Sequence, residues 1–293
     1  VSTPQAWQVD GHADAERIAG TIMAKSPVPP DDVLRYFNAE LKKRVCLLDG
    51  SLASCLQLES LEEVDYRGER FRHFKETDAA GRPVLLRGNL EVLVLTKASR
   101  IAEIHKEYLL AGADIIRTNT FGCNVQTQRD YKLDKLVYEM NKSAAQLAKR
   151  VAAEVTKQEP HRPRFVAGVI GPTPCMMSLD FGSSWASMVE ACEEQVKGLL
   201  EGGADILMLE GVTDSLNAKA AIAAMDAYCE RTRKGRAPLM ISARLTDDGR
   251  TPSGQSPEAF CISLKHGRPL ALGAGSPAAP GQLRAPYAAL AGL

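Results

Sequence analysis

Two copies of one sequence pattern constrain the fold of this 293-residue chain more than any other feature. Residues 109–121 read LLAGADIIRTNTF and residues 199–212 read LLEGGADILMLEGV. In each copy an apolar helix ends in glycine, an Ala-Asp pair follows, and a short strand runs into polar residues. Gly112 suits the left-handed conformation that closes a helix. Repeated helix–strand units of this kind build parallel sheets with helices on the outside.

The rest of the chain adds further units of the same type. Apolar periodicity and end signals predict helices at 31–44, 101–110, 134–158, 185–201, 217–234 and 257–266. They predict strands near 45–49, 115, 165–171, 206, 238–245 and 269–275. A closed (β/α)8 barrel needs eight strands and about 250 residues. We therefore expect an α/β fold that is either an open sheet or, as the tail favours, an incomplete TIM-type barrel of about six βα units.

The predicted barrel sets the domain organisation. Residues 1–40 form an N-terminal extension with a leading helix, and residues 41–293 form the barrel domain. From about residue 267 the domain is expected to be degenerate, because after His266 the composition shifts to Ala, Gly, Pro and Leu with no acidic residue. On this prediction the chain stops about two units before a barrel would close.

Polar residues just past the strand ends are the candidates for chemistry, because parallel α/β folds place their sites there. Two carboxylates over such a pocket suit an ammonium group, and glycine lets the backbone approach a ligand closely. The candidate substrate-binding residues are Asp49, Gly50, Thr118, Asn119, Thr120, Gly171, Thr173 and Glu210. The same residues also allow a structural interpretation as helix caps, a rim salt bridge and plain turns.

Charge and cysteine usage exclude several classes of protein. The formal net charge is zero, so nothing points to nucleic acid or to an anionic membrane as a partner. No apolar run approaches the roughly 18 residues of a transmembrane helix. The seven cysteines are scattered, with no CxxC spacing, which is typical of reduced thiols in a cytoplasmic protein.

Six blocks carry a family resemblance: LLDGSLAS, YRGERF, IHKEYLLAGADIIRTNTF, FVAGVIGPT, LNAKAA and DDGRTPSGQS. They resemble the homocysteine-binding domain of cobalamin-dependent methionine synthase, within the homocysteine S-methyltransferase family, from about residue 41 to 284. The resemblance implies an eight-stranded barrel with zinc held by three cysteines at the strand ends. It implies that homocysteine adds its sulfur to the zinc as a thiolate and accepts a methyl group. Asp49 and Glu210 would hold the amino acid end.

Departures from the family pattern concern the metal and the pocket. Ser276 occupies the position of one zinc cysteine, and the later Cys-Cys pair has no counterpart, so no metal ligand is intact and we expect no zinc. Cys123 and Cys175 follow strand ends but are interpreted as ordinary thiols. Two glycines after Asp49-Gly50 have gained side chains, and Arg117 stands where the family has an acid.

Three functions remain open at this point. The first is methyl transfer to homocysteine in methionine biosynthesis, with methyltetrahydrofolate and cobalamin handled by other modules of a longer protein. The second is a catalytically inactive remnant or binding module that keeps the barrel and part of the amino acid pocket. The third is a barrel enzyme that lost zinc and gained another chemistry, which nothing in the sequence identifies.

Overall fold

A curled, parallel five-stranded sheet forms the centre of the molecule. The computed structural model describes residues 28–180, 183–275 and 284–291. The strands pair in chain order, each parallel to the next. They are β1 (Ile115–Arg117), β2 (Phe165–Ile170), β3 (Ile206–Val212), β4 (Leu239–Arg244) and β5 (Ala271–Gly275). This architecture confirms the α/β class and is consistent with an incomplete TIM-type barrel.

Helices fill the connections, as the repeated pattern predicts. Every link between consecutive strands carries at least one α-helix on the way to the next strand. The helices are α1 (Pro30–Glu40), α2 (Leu52–Gln57), α3 (Glu63–Arg67), α4 (Leu93–Thr96), α5 (Ala98–Leu110), α6 (Val125–Asp130), α7 (Val137–Gln158), α8 (Trp185–Glu201), α9 (Ser215–Thr232), α10 (Pro257–Leu264) and α11 (Arg284–Ala291). Among these described helices none is long and apolar enough to cross a membrane.

The aspartate of the repeated pattern explains why the pattern recurs. Asp114 N donates to Leu47 O at 2.8 Å, and Leu47 N donates back to the Asp114 carboxylate at 2.9 Å. In the second copy Asp205 N donates to Val166 O at 2.9 Å, and Val166 N donates to the Asp205 carboxylate at 2.9 Å. Each aspartate therefore links the start of its own strand to the segment that precedes it in the sheet. For Asp114 that segment contains Leu47 and lies beside β1.

The predicted strand at 45–49 does not form as a regular strand. Leu48 makes one isolated parallel bridge with Ile115, and Asp49 N donates to Ile115 O at 3.0 Å. The segment lies at the edge of the described sheet and pairs with β1 alone, and the side chains of Val45 and Leu47 are exposed. Sequence reasoning recognised an apolar run but not that its pairing stops after one bridge.

Residues 51–98 form a long connection before α5, and a buried cluster holds them in place. It contains α2, α3 and α4, which pack around a buried cluster that includes Leu56, Tyr66 and Leu93. Ile101 and Ile104 complete the cluster from α5. The segment is therefore fixed against α5 and α7, beside the residues that follow β1.

The two faces of the sheet are covered by different elements. Tyr36 and Phe37 of α1 pack on Phe165 of β2, with ring centroids 5.0 and 4.8 Å apart. Leu207 and Leu209 of β3 point the other way, into the large core formed with α8, α9 and α10. Because alternate residues of a strand face opposite sides, both faces are apolar and the carboxyl ends of the strands are left for polar groups.

Candidate functional site

Three charged side chains meet at the carboxyl end of the sheet. Asp49 follows the Leu48 bridge, Arg117 ends β1, and Glu210 lies in β3. Arg117 Nε donates to Asp49 Oδ1 at 2.8 Å, and Arg117 N donates to Asp49 Oδ2 at 2.9 Å. Arg117 Nη1 also donates to Glu210 Oε1. The two carboxylates predicted from sequence therefore come together, and they do so around a guanidinium of the chain itself.

Burial sets the electrostatics of this triad. The side chain of Asp49 is 2% exposed, while Arg117 and Glu210 are 21% and 22% exposed. Burial raises the pKa of Asp49 and of Glu210, and the positive charge of Arg117 opposes that rise. Burial alone would lower the pKa of Arg117, but the two carboxylates raise it. The triad therefore favours a permanently charged cation between two partly desolvated carboxylates.

Gly50 is required by the packing of a tyrosine from α5. A Cβ added at Gly50 would lie 2.7 Å from Tyr108 Oη, closer than real Cβ atoms come. The Tyr108 hydroxyl donates to Ser51 O at 3.3 Å and lies 3.5 Å from Cys55 Sγ, a contact that raises the pKa of Tyr108 to about 12. The carbonyl of Gly50 accepts from Arg117 Nη2 at 2.8 Å. Gly50 therefore brings its backbone into direct contact with the charged triad.

The Thr-Asn-Thr segment after β1 has its polar atoms bonded to backbone. Thr118 Oγ1 accepts from Val169 N at 2.9 Å, and Thr120 Oγ1 donates to Val169 O at 2.7 Å. The two threonine hydroxyls are 2.6 Å apart. Asn119 Nδ2 donates to Leu90 O at 2.7 Å. These three side chains are buried and fix the end of β1 to β2 and to the connection at residues 51–98.

Phe121 follows the Thr-Asn-Thr segment and lies against the glycines at 171 and 211. It was not singled out as a site residue from sequence. A Cβ at Gly171 would lie 2.1 Å from Phe121 O, so only glycine fits there. The Phe121 ring also lies 3.4 Å from the Cβ position of Gly211, which has φ +69° and follows Glu210 directly. The side chain remains 47% exposed. The sequence signal that could have identified Phe121 is its position as a bulky aromatic residue directly after the polar residues 117–120.

Thr173 belongs to a neighbouring polar cluster rather than to the charged triad. Its hydroxyl donates to Cys175 O at 2.9 Å and accepts from Asn217 Nδ2 at 3.0 Å. Thr173 and Asn217 line a cavity of about 30 Å³ together with Asp214 and Cys192. A space of this size holds one or two water molecules. The cluster fixes the loop after β2 to α9.

The described residues do not fit a zinc ion. Across 28–180, 183–275 and 284–291, no group of three or more His, Cys, Asp or Glu side chains is arranged to hold a metal. Cys123 is fully buried, Asn141 Nδ2 donates to Cys123 O at 2.9 Å, and burial raises the pKa of Cys123 well above its usual range. A thiol held protonated is a poor zinc ligand. Ser276, predicted from the sequence to occupy the position of a family zinc cysteine, lies outside the described residues.

Comparison with known proteins identifies the family. The family model for homocysteine S-methyltransferase matches residues 46–285, which is most of the chain. The chain belongs to the homocysteine S-methyltransferase family. Crystal structures of the homocysteine methyltransferase MmuM from Escherichia coli are also similar, at 20% identity. The metallated form gives a TM-score of 0.63 over 81% of this chain and 77% of that chain. The apo form gives 0.58 over 81% and 74%.

Membership of the homocysteine S-methyltransferase family confirms the resemblance found in the sequence at family level. At 20% identity the likeness to MmuM establishes the fold alone. The matched region starts at Cys46 and therefore includes Asp49, Arg117 and Glu210. The charged triad lies inside the family domain, at the carboxyl ends of its strands.

Proposed function

We propose that this chain is a methionine synthase-like homocysteine S-methyltransferase domain, and that its described part holds the amino acid end of homocysteine. One observation carries the proposal beyond family membership: Asp49 and Glu210, from two separate segments, converge on a single cation at the strand ends. A pair of carboxylates in a partly buried pocket is suited to bind a charged amino group. The blocks YRGERF and GRTPSGQ favour the methionine synthase type over free-standing homocysteine methyltransferases. We predict a cytoplasmic location.

Each predicted residue has a distinct part in this proposal. Asp49 and Glu210 accept hydrogen bonds from the substrate ammonium group, next to the backbone of Gly50. Contacts with backbone fix the segments that follow β1 and β2, and they are made by Thr118, Asn119, Thr120 and Gly171. The half-exposed Phe121 ring covers the apolar carbons of the substrate. Thr173 supports the loop after β2 from its own cluster.

The reaction of the family places chemical demands on the sulfur. The homocysteine thiolate attacks the methyl carbon of the donor, so that the sulfur–carbon bond forms, the bond to the carrier breaks, and the thiol proton passes to solvent. A free thiol with a pKa of about 8.5 is mostly protonated at neutral pH, so the sulfur must be activated. Because the described residues do not fit zinc, we assign them binding and orientation of homocysteine, and no step through a metal.

A binding module without catalysis is the second candidate. Two observations favour it: Arg117 pairs with both carboxylates, and the described residues lack a metal-binding group. In this case the domain keeps its barrel-like fold and part of the amino acid pocket but transfers no methyl group. Methyltetrahydrofolate and cobalamin would be handled by other modules of a longer protein.

Binding and turnover measurements on the same chain separate these candidates. L-Homocysteine binding is followed by calorimetry, and methionine formed from methylcobalamin is followed by mass spectrometry, with zinc content determined in parallel. We expect Glu210→Gln to weaken homocysteine binding about tenfold, because one charge-assisted hydrogen bond is lost. Glu139→Gln is the matched control, since Glu139 forms an exposed ion pair with Arg70 and neither residue belongs to the charged triad.

The outcomes are distinct. Methionine formation that depends on L-homocysteine supports methyl transfer by this domain. Binding of L-homocysteine without methionine supports the binding module. Absence of homocysteine binding, or equal effects of the two glutamate substitutions, contradicts the assignment of the amino acid pocket.

A further inference from the structure

The guanidinium of Arg117 occupies the centre of the charged triad with almost its full hydrogen-bonding capacity. Besides its bonds to the two carboxylates, Nη2 donates to Asp49 O at 3.1 Å and to Gly50 O at 2.8 Å. All three guanidinium nitrogens therefore donate to acceptors of the site. A guanidinium has five N–H donors in a fixed plane, so this geometry satisfies four of them at one location.

The acceptors around Arg117 form a cradle for a cation. We define the cradle as the Asp49 carboxylate, the Glu210 carboxylate and the carbonyls of Asp49 and Gly50. Every member is an acceptor of hydrogen bonds, and the carboxylate of Asp49 is almost completely buried. A buried carboxylate without a partner is strongly unfavourable. To remain ionised, the cradle therefore requires a cation, either from the chain or from a ligand.

We propose that Arg117 is an internal occupant of the ammonium position and the residue that determines whether an amino group enters. The assignment of that position to the amino end of an amino acid rests on the proposed function. A primary ammonium and a guanidinium need the same acceptors of the cradle. The two cations exclude each other, because both would have to lie between Asp49 and Glu210.

The occupied acceptors support exclusion rather than sharing. Two carboxylates and one guanidinium leave a net charge of minus one that attracts a further cation, but the acceptors it would bind already receive bonds from Arg117. The ammonium must therefore displace Arg117, whose side chain is already 21% exposed and has solvent on one side. With an internal competitor, the apparent affinity equals the affinity of the open site multiplied by the fraction of molecules in which the site is open.

Ligand selectivity follows from this arrangement. With Arg117 in the cradle, the amino group of a ligand must first displace the guanidinium, so the preference of the unchanged chain for L-homocysteine over its deaminated counterpart 4-mercaptobutanoate is reduced. Without the guanidinium, the cradle lacks a cation and binds primary ammonium groups. Substitution of Arg117 is therefore expected to increase affinity for ammonium ligands and to leave affinity for the deaminated acid unchanged.

Ethylammonium tests the cradle without reference to homocysteine. The rise in unfolding temperature of the full chain is measured against ethylammonium chloride, with sodium chloride at equal ionic strength as reference. We expect Arg117→Ala to bind ethylammonium at least about tenfold more tightly than the unchanged chain, from the value of hydrogen bonds to charged groups. Arg117→Met gives a second variant that keeps an apolar stem against the strand ends and supports folding.

Arg70→Ala is the matched control. It removes an arginine that also makes two bonds to a carboxylate, Glu139, but on an exposed surface. We expect its response to ethylammonium to equal that of the unchanged chain. If neither Arg117 variant responds more strongly than Arg70→Ala, the cradle does not bind ammonium groups and the proposal is overturned.

The second arm compares L-homocysteine with 4-mercaptobutanoate on the same variants. A preference for L-homocysteine that becomes stronger when Arg117 is substituted supports the proposal. If the unchanged chain already prefers L-homocysteine as strongly as the variants, Arg117 is not a competitor and the inference fails, while the proposed function stands. If ethylammonium binds the variants but no form binds L-homocysteine, the cradle stands and the proposed function fails.

Discussion

Substitution of Asp114 by asparagine tests the link between the repeated pattern and stability. Asp114 is 1% exposed and accepts from Arg44 Nη1 and Nη2 at 2.8 and 3.0 Å, from Arg162 Nε at 2.8 Å and from Leu47 N at 2.9 Å. Burial alone would raise the pKa of Asp114, but the hydrogen bonds from Arg44, Arg162 and Leu47 lower it to about 2. Asparagine keeps the shape of the side chain and removes the charge.

The pKa shift gives the magnitude. The folded pKa of about 2 lies below the ordinary aspartate pKa of 3.8, so the folded state prefers the ionised carboxylate. At about 1.4 kcal/mol per pKa unit, the charge stabilises the fold by about 2.5 kcal/mol at pH 6. Because the pKa is lowered, this stabilisation is complete above the unfolded pKa and is lost as pH falls toward 2. About half of it remains at pH 3.

Urea unfolding of the unchanged chain and of Asp114→Asn at pH 6, 4 and 3 measures this term. We expect the variant to be less stable by about 2.5 kcal/mol at pH 6 and by about half as much at pH 3. Asp226→Asn is the control, since Asp226 pairs with Arg236 at a half-exposed position and should cost less than about 1 kcal/mol. A loss at Asp114 below about 1 kcal/mol at pH 6, or one that does not change with pH, refutes the reasoning.

Two further predictions concern other buried groups. His105 is buried with no hydrogen-bond partner on either ring nitrogen, and burial lowers its pKa from 6.5 to about 4. Because the pKa of a base is lowered, the free energy of unfolding should fall by about 3 kcal/mol as pH drops from 7 to 4. In urea titrations His105→Leu should remove this pH dependence. An unchanged pH dependence would assign it to other groups. Gly171→Ala places a Cβ 2.1 Å from Phe121 O and should cost about 2 to 3 kcal/mol. Gly254→Ala, with φ +89° but open space around it, should cost only about 1 kcal/mol in the same thermal unfolding assay, and equal costs would argue against the Phe121 contact.

Local signals were sufficient for most of the regular elements. Helix α8 was predicted at 185–201 and is observed at Trp185–Glu201, because its apolar periodicity is clear and Ser184 caps it by accepting from Ser187 N. Gly112 has φ +109°, as the pattern predicted. Short α6 was not predicted, although Asn124 caps it by accepting from Thr127 N. Six residues give too little periodicity to distinguish a helix from a loop.

Strand pairing depended on neighbours rather than on local sequence. The apolar run at 45–49 resembles that of β2, yet it makes one bridge while β2 pairs on both sides. β2 has partners at both edges, whereas the described part of the chain supplies the 45–49 segment with a partner on one side only. A strand is stabilised by hydrogen bonds to other segments, so its length cannot be fixed by its own residues.

The candidate site shows the same division between local and distant information. The sequence placed Asp49, Thr118 and Thr120 just after residues that pair in the sheet, because the change from apolar to polar residues marks where pairing stops. Glu210 was expected to end its strand, but β3 continues to Val212. The sequence did not show that the threonine hydroxyls bond to the backbone of Val169, nor that the Arg117 side chain would reach Glu210 across the carboxyl end of the sheet. The direction and partners of a polar side chain depend on what the fold brings beside it.

The sequence by itself determined the parallel α/β architecture and the family, because periodicity, glycine caps and the Ala-Asp link are local properties of the chain. Tertiary structure alone decided that Asp49 and Glu210 share one cation and that Arg117 supplies it. Arg117 lies 68 residues after Asp49 and 93 residues before Glu210. Contacts across such separations form only when the strands are assembled side by side, since no local interaction carries information over that distance.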